Sequence, residues 1–534
     1  AQPWAEALAI KDGRYVFVGG NDAVQSYIGS ATEVVDLQGK MAMPGINDMH
    51  VHPVEGGTKE LFECSFPFTA GPDEIANAVA GCVGKFPDAT WIRGGQWSSD
   101  FFVDHKIESP RKFLDRVSGD KAVALVDDAY HNAWFNTKAL ELLGISKDSE
   151  PPPGVEVAKD ATTGQPTGIV IEAFGYLKDN LHWSEQQYEE AAAHALKTAN
   201  SYGITGLKAT ALAEGELKAF HSLAQNGAIS AHVATALVTP YGHRQEPLDI
   251  AGLQALRDKY RAPNVHTDFA KIFMDGVPTA SRTAAMLAPY TLAEKGAEFT
   301  NGQLHIAPEL LTTDIKALDK AGFTVKIHTA GDRSVRVALD AIESARKANG
   351  RSGLRHELAH AGYVDPQDID RFAALNVIPD FSPYIWFPSP IMDSVLTAVG
   401  ERGEQYWPTK TLLASGAFVA IGSDWPAAVP SINPWPGIEA LVTRADPYAN
   451  TPEMLWQEEA ITLERALRIF TYNSARALKL EEETGSIETG KSADLIVLNH
   501  NLFKVPITEV SDTQPTMTFF AGKRVYEEPV GPTN

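Results

Sequence analysis

Residues 43–52 read Met43-Pro-Gly-Ile-Asn-Asp-Met-His-Val-His52, an apolar run that leaves the turn residues Pro44-Gly45 and ends on two histidines. Such a run, bounded by turn residues, reads as a strand. Side chains alternate along a strand, so His50 and His52 face the same way and two ring nitrogens can reach one metal ion. Standing alone, the pair is as readily two unrelated surface histidines. What lies downstream decides its meaning.

Seven further apolar runs follow, at 206–209, 232–238, 269–274, 324–328, 355–360, 377–381 and 418–423, and with 42–49 they make eight. Helical patterns at 308–320, 332–349 and 365–375 fall between the later ones. Strands alternating with helices predict an α/β fold with a parallel sheet, and eight of them favour a (β/α)8 TIM barrel over an open sheet. Active sites of such barrels lie at the C-terminal ends of the strands.

Polar residues stand at those ends. Lys271 opens Lys271-Ile-Phe-Met-Asp-Gly276, and His328 lies in Val325-Lys-Ile-His-Thr-Ala-Gly331. His360 closes Arg355-His-Glu-Leu-Ala-His360, and Asp424 follows Ala420-Ile-Gly-Ser. With His50 and His52 they converge from strands one, four, five, six and eight, a candidate metal-ligand set. Lys208, at the end of strand two, is a rival to Lys271. A second motif competes, because His356-Glu-Leu-Ala-His360 fits the His-Glu-x-x-His pattern of zinc peptidases. That chemistry needs a long helix, and the stretch between Gly353 and Gly362 is too short for one. As a strand it puts His356, Leu358 and His360 on one face, with His360 as the single ligand.

The two ends of the chain read alike. Residues 5–18 alternate around an Asp12-Gly13 turn, and 492–498, 517–520 and 524–526 are strand-like, so both termini are expected to build one small β-sandwich domain. The expected division is 1–42 with 481–534 for that domain, 43–54 with 184–480 for the barrel, and 55–183 for a subdomain inserted over the barrel mouth. The insertion holds strand-like 91–96 and 122–127 and a break at Pro151-Pro-Pro-Gly154, and a long helical run follows at 185–202.

Composition sets limits. The chain has 534 residues, 44% of them hydrophobic and 21% charged, which is ordinary for a globular protein. A net charge of -22 repels phosphate backbones and anionic lipid surfaces, so neither nucleic acid nor a membrane is an expected partner. A small-molecule substrate is expected, and a homo-oligomer is left open. The two cysteines, Cys64 and Cys82, exclude a cysteine zinc cluster and are expected as free thiols, pairing only if the protein is exported. The chain starts at Ala1 close to a strand, so an upstream segment is expected, a signal peptide among the options; the compartment stays open between cytoplasmic and exported.

The residues quoted above carry a resemblance. Met43 to His52 resembles the first-strand motif of the amidohydrolase superfamily, Gly422-Ser-Asp424 its last, and Gly485 to Val497 its closing segment. Lys271-Ile-Phe-Met-Asp-Gly-Val-Pro-Thr-Ala-Ser-Arg-Thr-Ala284 and His328-Thr-Ala-Gly-Asp332 are similar to the amidohydrolase family 3 branch, which includes N-substituted formamide deformylases. The chain departs from that branch at Val277-Pro278, where small residues are usual. The resemblance implies one or two divalent ions, zinc foremost, with Lys271 N6-carboxylated as a bridge between two. It implies hydrolysis of an amide or other C-N bond by activated water, Asp424 accepting the proton and returning it to the departing nitrogen. A lyase, isomerase or decarboxylase on the same barrel, or a metal-free relative, are the alternatives. His131 in Tyr130 to Leu140 and Glu172 in Gly168 to Glu172 are similar to family segments and are candidate pocket residues. Trp97, Tyr384, Trp386 and Trp425 fall near predicted strand ends and suggest an aromatic-lined pocket for a hydrophobic substituent.

Overall fold

Eight parallel strands follow one another in sequence order around a single sheet: β1 (Ile46–Val51), β2 (Ile204–Leu212), β3 (His232–Val238), β4 (Val265–Phe273), β5 (Thr324–Thr329), β6 (Glu357–His360), β7 (Ile378–Phe381) and β8 (Ala420–Ile421). The computed structural model describes residues 3–291, 300–385 and 390–529. Every residue of β2 is buried, as parallel strands covered on both faces must be. Asp332–Asn349 shows the matching helical pattern: Val335, Ala338, Leu339, Ile342 and Ala345 form one buried stripe. This helix ends at Gly350, whose φ of 78° suits glycine.

The ring closes between β8 and β1 just above the ends of the ladder. Asp424 N donates to His50 O at 2.6 Å, and His52 N donates to Trp425 O at 2.8 Å. The Asp48 carboxylate accepts from Ser423 N at 3.0 Å and from His50 N at 3.1 Å, tying the two strands together. Gly422 makes this approach sterically possible, since a Cβ there would lie 2.2 Å from His50 N.

The expected first strand, 42–49, is two strands in different sheets. Ala42–Pro44 pairs antiparallel with Leu495–Leu498 in a four-stranded sheet completed by Pro515–Phe520 and Lys523–Glu527, whereas β1 begins at Ile46. Gly45 separates them, and a Cβ there would meet Thr205 Oγ1 at 2.0 Å. The hairpin of Ala7–Lys11 and Arg14–Gly19 lies against this sheet, with Tyr15, Ala493 and Leu495 as their shared core. The two ends of the chain thus build one β unit. Of the predicted helices, Pro308–Lys320 forms as read, and 365–375 is trimmed to Ile369–Leu375.

Between β1 and β2 lies a mixed six-stranded sheet that includes Trp91–Trp97 and Ala122–Asp127. The expected start of the insertion at residue 55 falls inside the helix Pro53–Phe62, whose Gly57 sits against the Ala191 carbonyl of Glu185–Ser201. Cys64 and Cys82, expected as free thiols, are disulfide-bonded with Cα atoms 5.8 Å apart. A strand and the following helix bring them together across 18 positions, a proximity that composition does not reveal.

Candidate metal centre and catalytic cleft

The C-terminal ends of β1, β4, β5, β6 and β8 bring His50, His52, Lys271, His328, His360 and Asp424 around one cleft of about 840 Å³. His50 is central. Its Nδ1 faces the Asp380 carboxylate at 3.1 Å, so this nitrogen carries the proton and Nε2 keeps its lone pair. That Nε2 lies 3.2 Å from Lys271 Nζ and 3.5 Å from Asp424 Oδ1. His52 Nε2 lies 3.4 Å from the same aspartate oxygen. Ring centroids of His50 and His360 are 4.9 Å apart, and those of His360 and His328 4.5 Å. Donor atoms of His50, His360 and Asp424 fall within 4.8 Å of one another, a spacing one ion can span.

Two of these residues stand on left-handed backbone, and one of them, His360, reaches the cleft by breaking strand alternation. His360 has φ 68° and Asp424 φ 65°, left-handed values rare for residues with a Cβ. On a continuing strand His360 would share the outward face of His356 and Leu358. The left-handed turn swings it inward instead. Tyr130, Glu172 and Ala428, around the same cleft, have φ 60°, 55° and 58°.

Burial dominates the electrostatics. It pushes His50, His328 and His360 well below the usual imidazole range, with the neighbouring Lys271 and histidines adding to the effect. Neutral imidazoles are the metal-binding form. Burial also pushes the Lys271 ammonium down to about 7, with Lys326 beside it as the next cause. Among the described residues Lys271 has no carboxylate partner at salt-bridge distance; its hydrogen bond is to His50. His328 Nε2 donates to Gly276 O at 3.0 Å, leaving Nδ1 as its lone-pair nitrogen. The donor set therefore fits a divalent cation, with several lone pairs and an anionic carboxylate in a buried space.

The rival lysine and the peptidase motif resolve together. Lys208 reaches inward over the Phe269 ring, 4.2 Å from its centroid and below the level of Lys271. It pairs with Glu357, the glutamate of the His-Glu-Leu-Ala-His stretch. His356 points out of the barrel, where its Nε2 meets Asp319 at 3.1 Å and its Nδ1 accepts from Val325 N at 3.1 Å. The stretch is a strand with its histidines in different places, so no peptidase site exists there.

His131 lines the cleft, its ring 5.4 Å from that of His328. Its Nδ1 donates to Glu172 at 2.8 Å, and Tyr241 donates to the same carboxylate. Burial opposes both charges, but each outweighs it for the other: His131 is raised and Glu172 lies well below the usual carboxylate range. Glu172 thus orients His131 from behind. Trp97, expected in the pocket, packs instead on Phe102 in the core of the insertion, with ring centroids 5.2 Å apart. Alternation could not tell which face of its strand was the core. Trp386 lies outside the described residues. Trp425 is buried against Gly56, and Tyr384 is likewise buried.

The aromatic and apolar lining comes from residues the sequence reading passed over: Tyr130, Phe174, Phe273, Tyr406, Ile391 and Val395. Val277 and Pro278, the departure from the family pattern, also face the cleft. Asp275 was missed as well; it accepts from Ala285 N, Ala330 N, Gly331 N and Ser334 Oγ and pins the loops beyond β4 and β5. Its signal was present in the sequence, as the aspartate following an apolar strand.

Comparison with known proteins gives this architecture its class, that of metal-dependent hydrolases acting on C-N bonds. Residues 33–526 match the family described as the amidohydrolase family, and the chain belongs to it. It is 29% identical to the protein LONG AFTER FAR-RED 3 of Arabidopsis thaliana, over 98% of this chain and 89% of that one. It is 26% identical to an N-substituted formamide deformylase of Arthrobacter pascens, over 98% of this chain and 95% of that enzyme. Among solved structures, an uncharacterized metal-dependent hydrolase from Pyrococcus horikoshii aligns with a TM-score of 0.72 at 24% identity, covering 94% of both chains. This last likeness is one of fold.

Proposed function

We propose that the protein hydrolyses the amide of a small N-acyl amine whose nitrogen carries a hydrophobic substituent, using a zinc-type divalent centre. The metal ligands in this reading are His50, His52, His328, His360, Asp424 and Lys271. One observation carries it: Lys271 is a buried lysine with no carboxylate at salt-bridge distance among the described residues, set among neutral imidazoles at the barrel mouth. Its neutral amine can attack carbon dioxide, forming an N-C bond and releasing one proton, and so become the anionic carbamate a cation site calls for. A bound divalent ion supplies Lewis acidity, lowering the pKa of water and polarising a carbonyl oxygen.

The remaining work falls to side chains. Asp424, held between His50 and His52, accepts the proton of the attacking water and passes it to the departing nitrogen, which leaves as an amine. His131, oriented by Glu172, which also favours its charged form, presents a hydrogen-bond donor across the cleft for the substrate oxygen. Phe174, Phe273, Tyr406 and Ile391 exclude water and receive the apolar substituent. The relative from Arthrobacter pascens is named for N-substituted formamides, and a short acyl group with an apolar nitrogen substituent suits this lining.

The test is turnover of a panel of N-formyl and N-acyl amines in ¹⁸O-water. The expected products are a free amine and an acid carrying one new ¹⁸O; carbon-carbon cleavage without water incorporation sinks the reading. Asp424→Asn should retain metal while kcat falls by about 10²–10⁴-fold. A fully active variant removes Asp424 from proton transfer.

A further inference from the structure

The barrel contains more buried charge than the proposed chemistry uses. Lys208 pairs with Glu357, Glu357 with Lys326 at 2.8 Å, Lys326 with Asp380, and Asp380 with His50 Nδ1 at 3.1 Å. Side chains of all five are at most 1% exposed. The charges alternate along the row, positive, negative, positive, negative, and the row ends on a histidine of the metal centre. It crosses β2, β6, β5, β7 and β1, so it is assembled by closure of the barrel and not by neighbours in sequence.

Stability does not account for such a row. A buried ion pair is often matched or bettered by well-packed apolar residues of the same volume, so its presence asks for another reason. Its geometry supplies one. Only an ionised Asp380 is purely an acceptor, and only an acceptor at Nδ1 fixes the proton there and leaves the lone pair on Nε2. An aspartate alone in this interior has no compensating cation. Lys326 is that cation, and Glu357 with Lys208 holds Lys326 in place from the far side.

We infer that Lys326 is a positioning residue for the metal centre: acting through Asp380, it locks the His50 tautomer that turns Nε2 into the cleft, with Glu357 and Lys208 as its brace. The inference rests on the reading of His50 as a metal ligand, but its tautomer arm does not. It also gives the glutamate of His-Glu-Leu-Ala-His a function unrelated to peptidase chemistry.

The test uses the full-length protein with Lys326→Met and Lys326→Gln, the second retaining a polar head should the first not fold. Two readouts are taken: zinc affinity by competition with a chelator, and the ¹⁵N shifts of the His50 ring in metal-free protein, assigned with His50→Gln. Expected are zinc affinity weakened by about 10–100-fold and loss of the single Nδ1-protonated signature, with the melting profile still cooperative. Affinity within twofold of wild type, or a fall in affinity with the His50 signature unchanged, overturns the inference. If wild type itself binds no zinc, the metal reading fails, and the tautomer result alone still decides whether Lys326 controls His50.

Discussion

Lys208 and Lys271 lie on β2 and β4, both are essentially sealed from solvent, and both point into the barrel, yet their surroundings are opposite. Lys208 has a carboxylate and the Ala477 carbonyl at its head. Lys271 has a histidine lone pair, the ring of Phe273 4.9 Å from Nζ, and no acid at salt-bridge distance among the described residues. Burial pushes both ammonium groups down, Lys208 to about 8 and Lys271 to about 7. Depth and residue type therefore do not distinguish them. The partner does: a buried lysine matched by an acid is already neutralised, whereas one left unmatched stands ready for chemistry or for a guest.

That contrast can be broken experimentally. The largest effect is expected at the unmatched site, where Lys271→Met should lower kcat/KM by at least about a thousandfold and release metal, while the melting temperature stays near wild type. Retention of two metals per chain would put the two lysines in one class. Lys208→Met should act mainly on the fold, lowering stability by about 3 kcal/mol in denaturant unfolding, with a loss of turnover per folded molecule smaller than that of Lys326→Met, which it only braces. A loss of turnover without a loss of stability would make Lys208 a site residue.

The distinction sharpens with pH. Carbon dioxide reacts with the neutral amine, so a lysine near 7 should be about 10% available at pH 6 and about 90% at pH 8. At a fixed concentration of dissolved carbon dioxide, reactivation of metal-free enzyme by zinc should accordingly speed up roughly tenfold over that interval and then level off. A flat profile argues against a carbamate at Lys271. The smallest effect is expected for Lys208→Met combined with Glu357→Leu, which removes both members of a pair and should return stability to within about 1 kcal/mol of wild type.

Much of the site was legible because barrel strands end where chemistry begins, so polar residues after apolar runs pointed to the mouth. His50, His328 and Asp424 needed no more than that. His360 was found by the right position and the wrong geometry, since alternation alone sends it outward and only a left-handed backbone turns it in. Lys326 and Asp48 each stand two residues before a mouth histidine on the same strand face, a signal that alternation offered and that hydrophobic pattern reading passed over. Trp97 shows the opposite failure: an aromatic near a strand end carries no mark of which side it packs on. The split at Gly45 was hidden for a related reason. Two strands in different sheets that meet at one glycine look like one strand in a string of letters.

That junction at Gly45 also sets a timetable for synthesis. The strand leading to His50 and His52 leaves the ribosome well before the strand that anchors it, because Ala42–Pro44 at its root pairs with Leu495–Leu498, about 450 positions later. At roughly 5–20 residues per second the wait is on the order of 20–90 s. Through that interval the first two metal-ligand candidates are attached to a segment with no sheet to join. The root of the strand that leads to His50 and His52 is therefore anchored only by a segment translated about 450 positions after it.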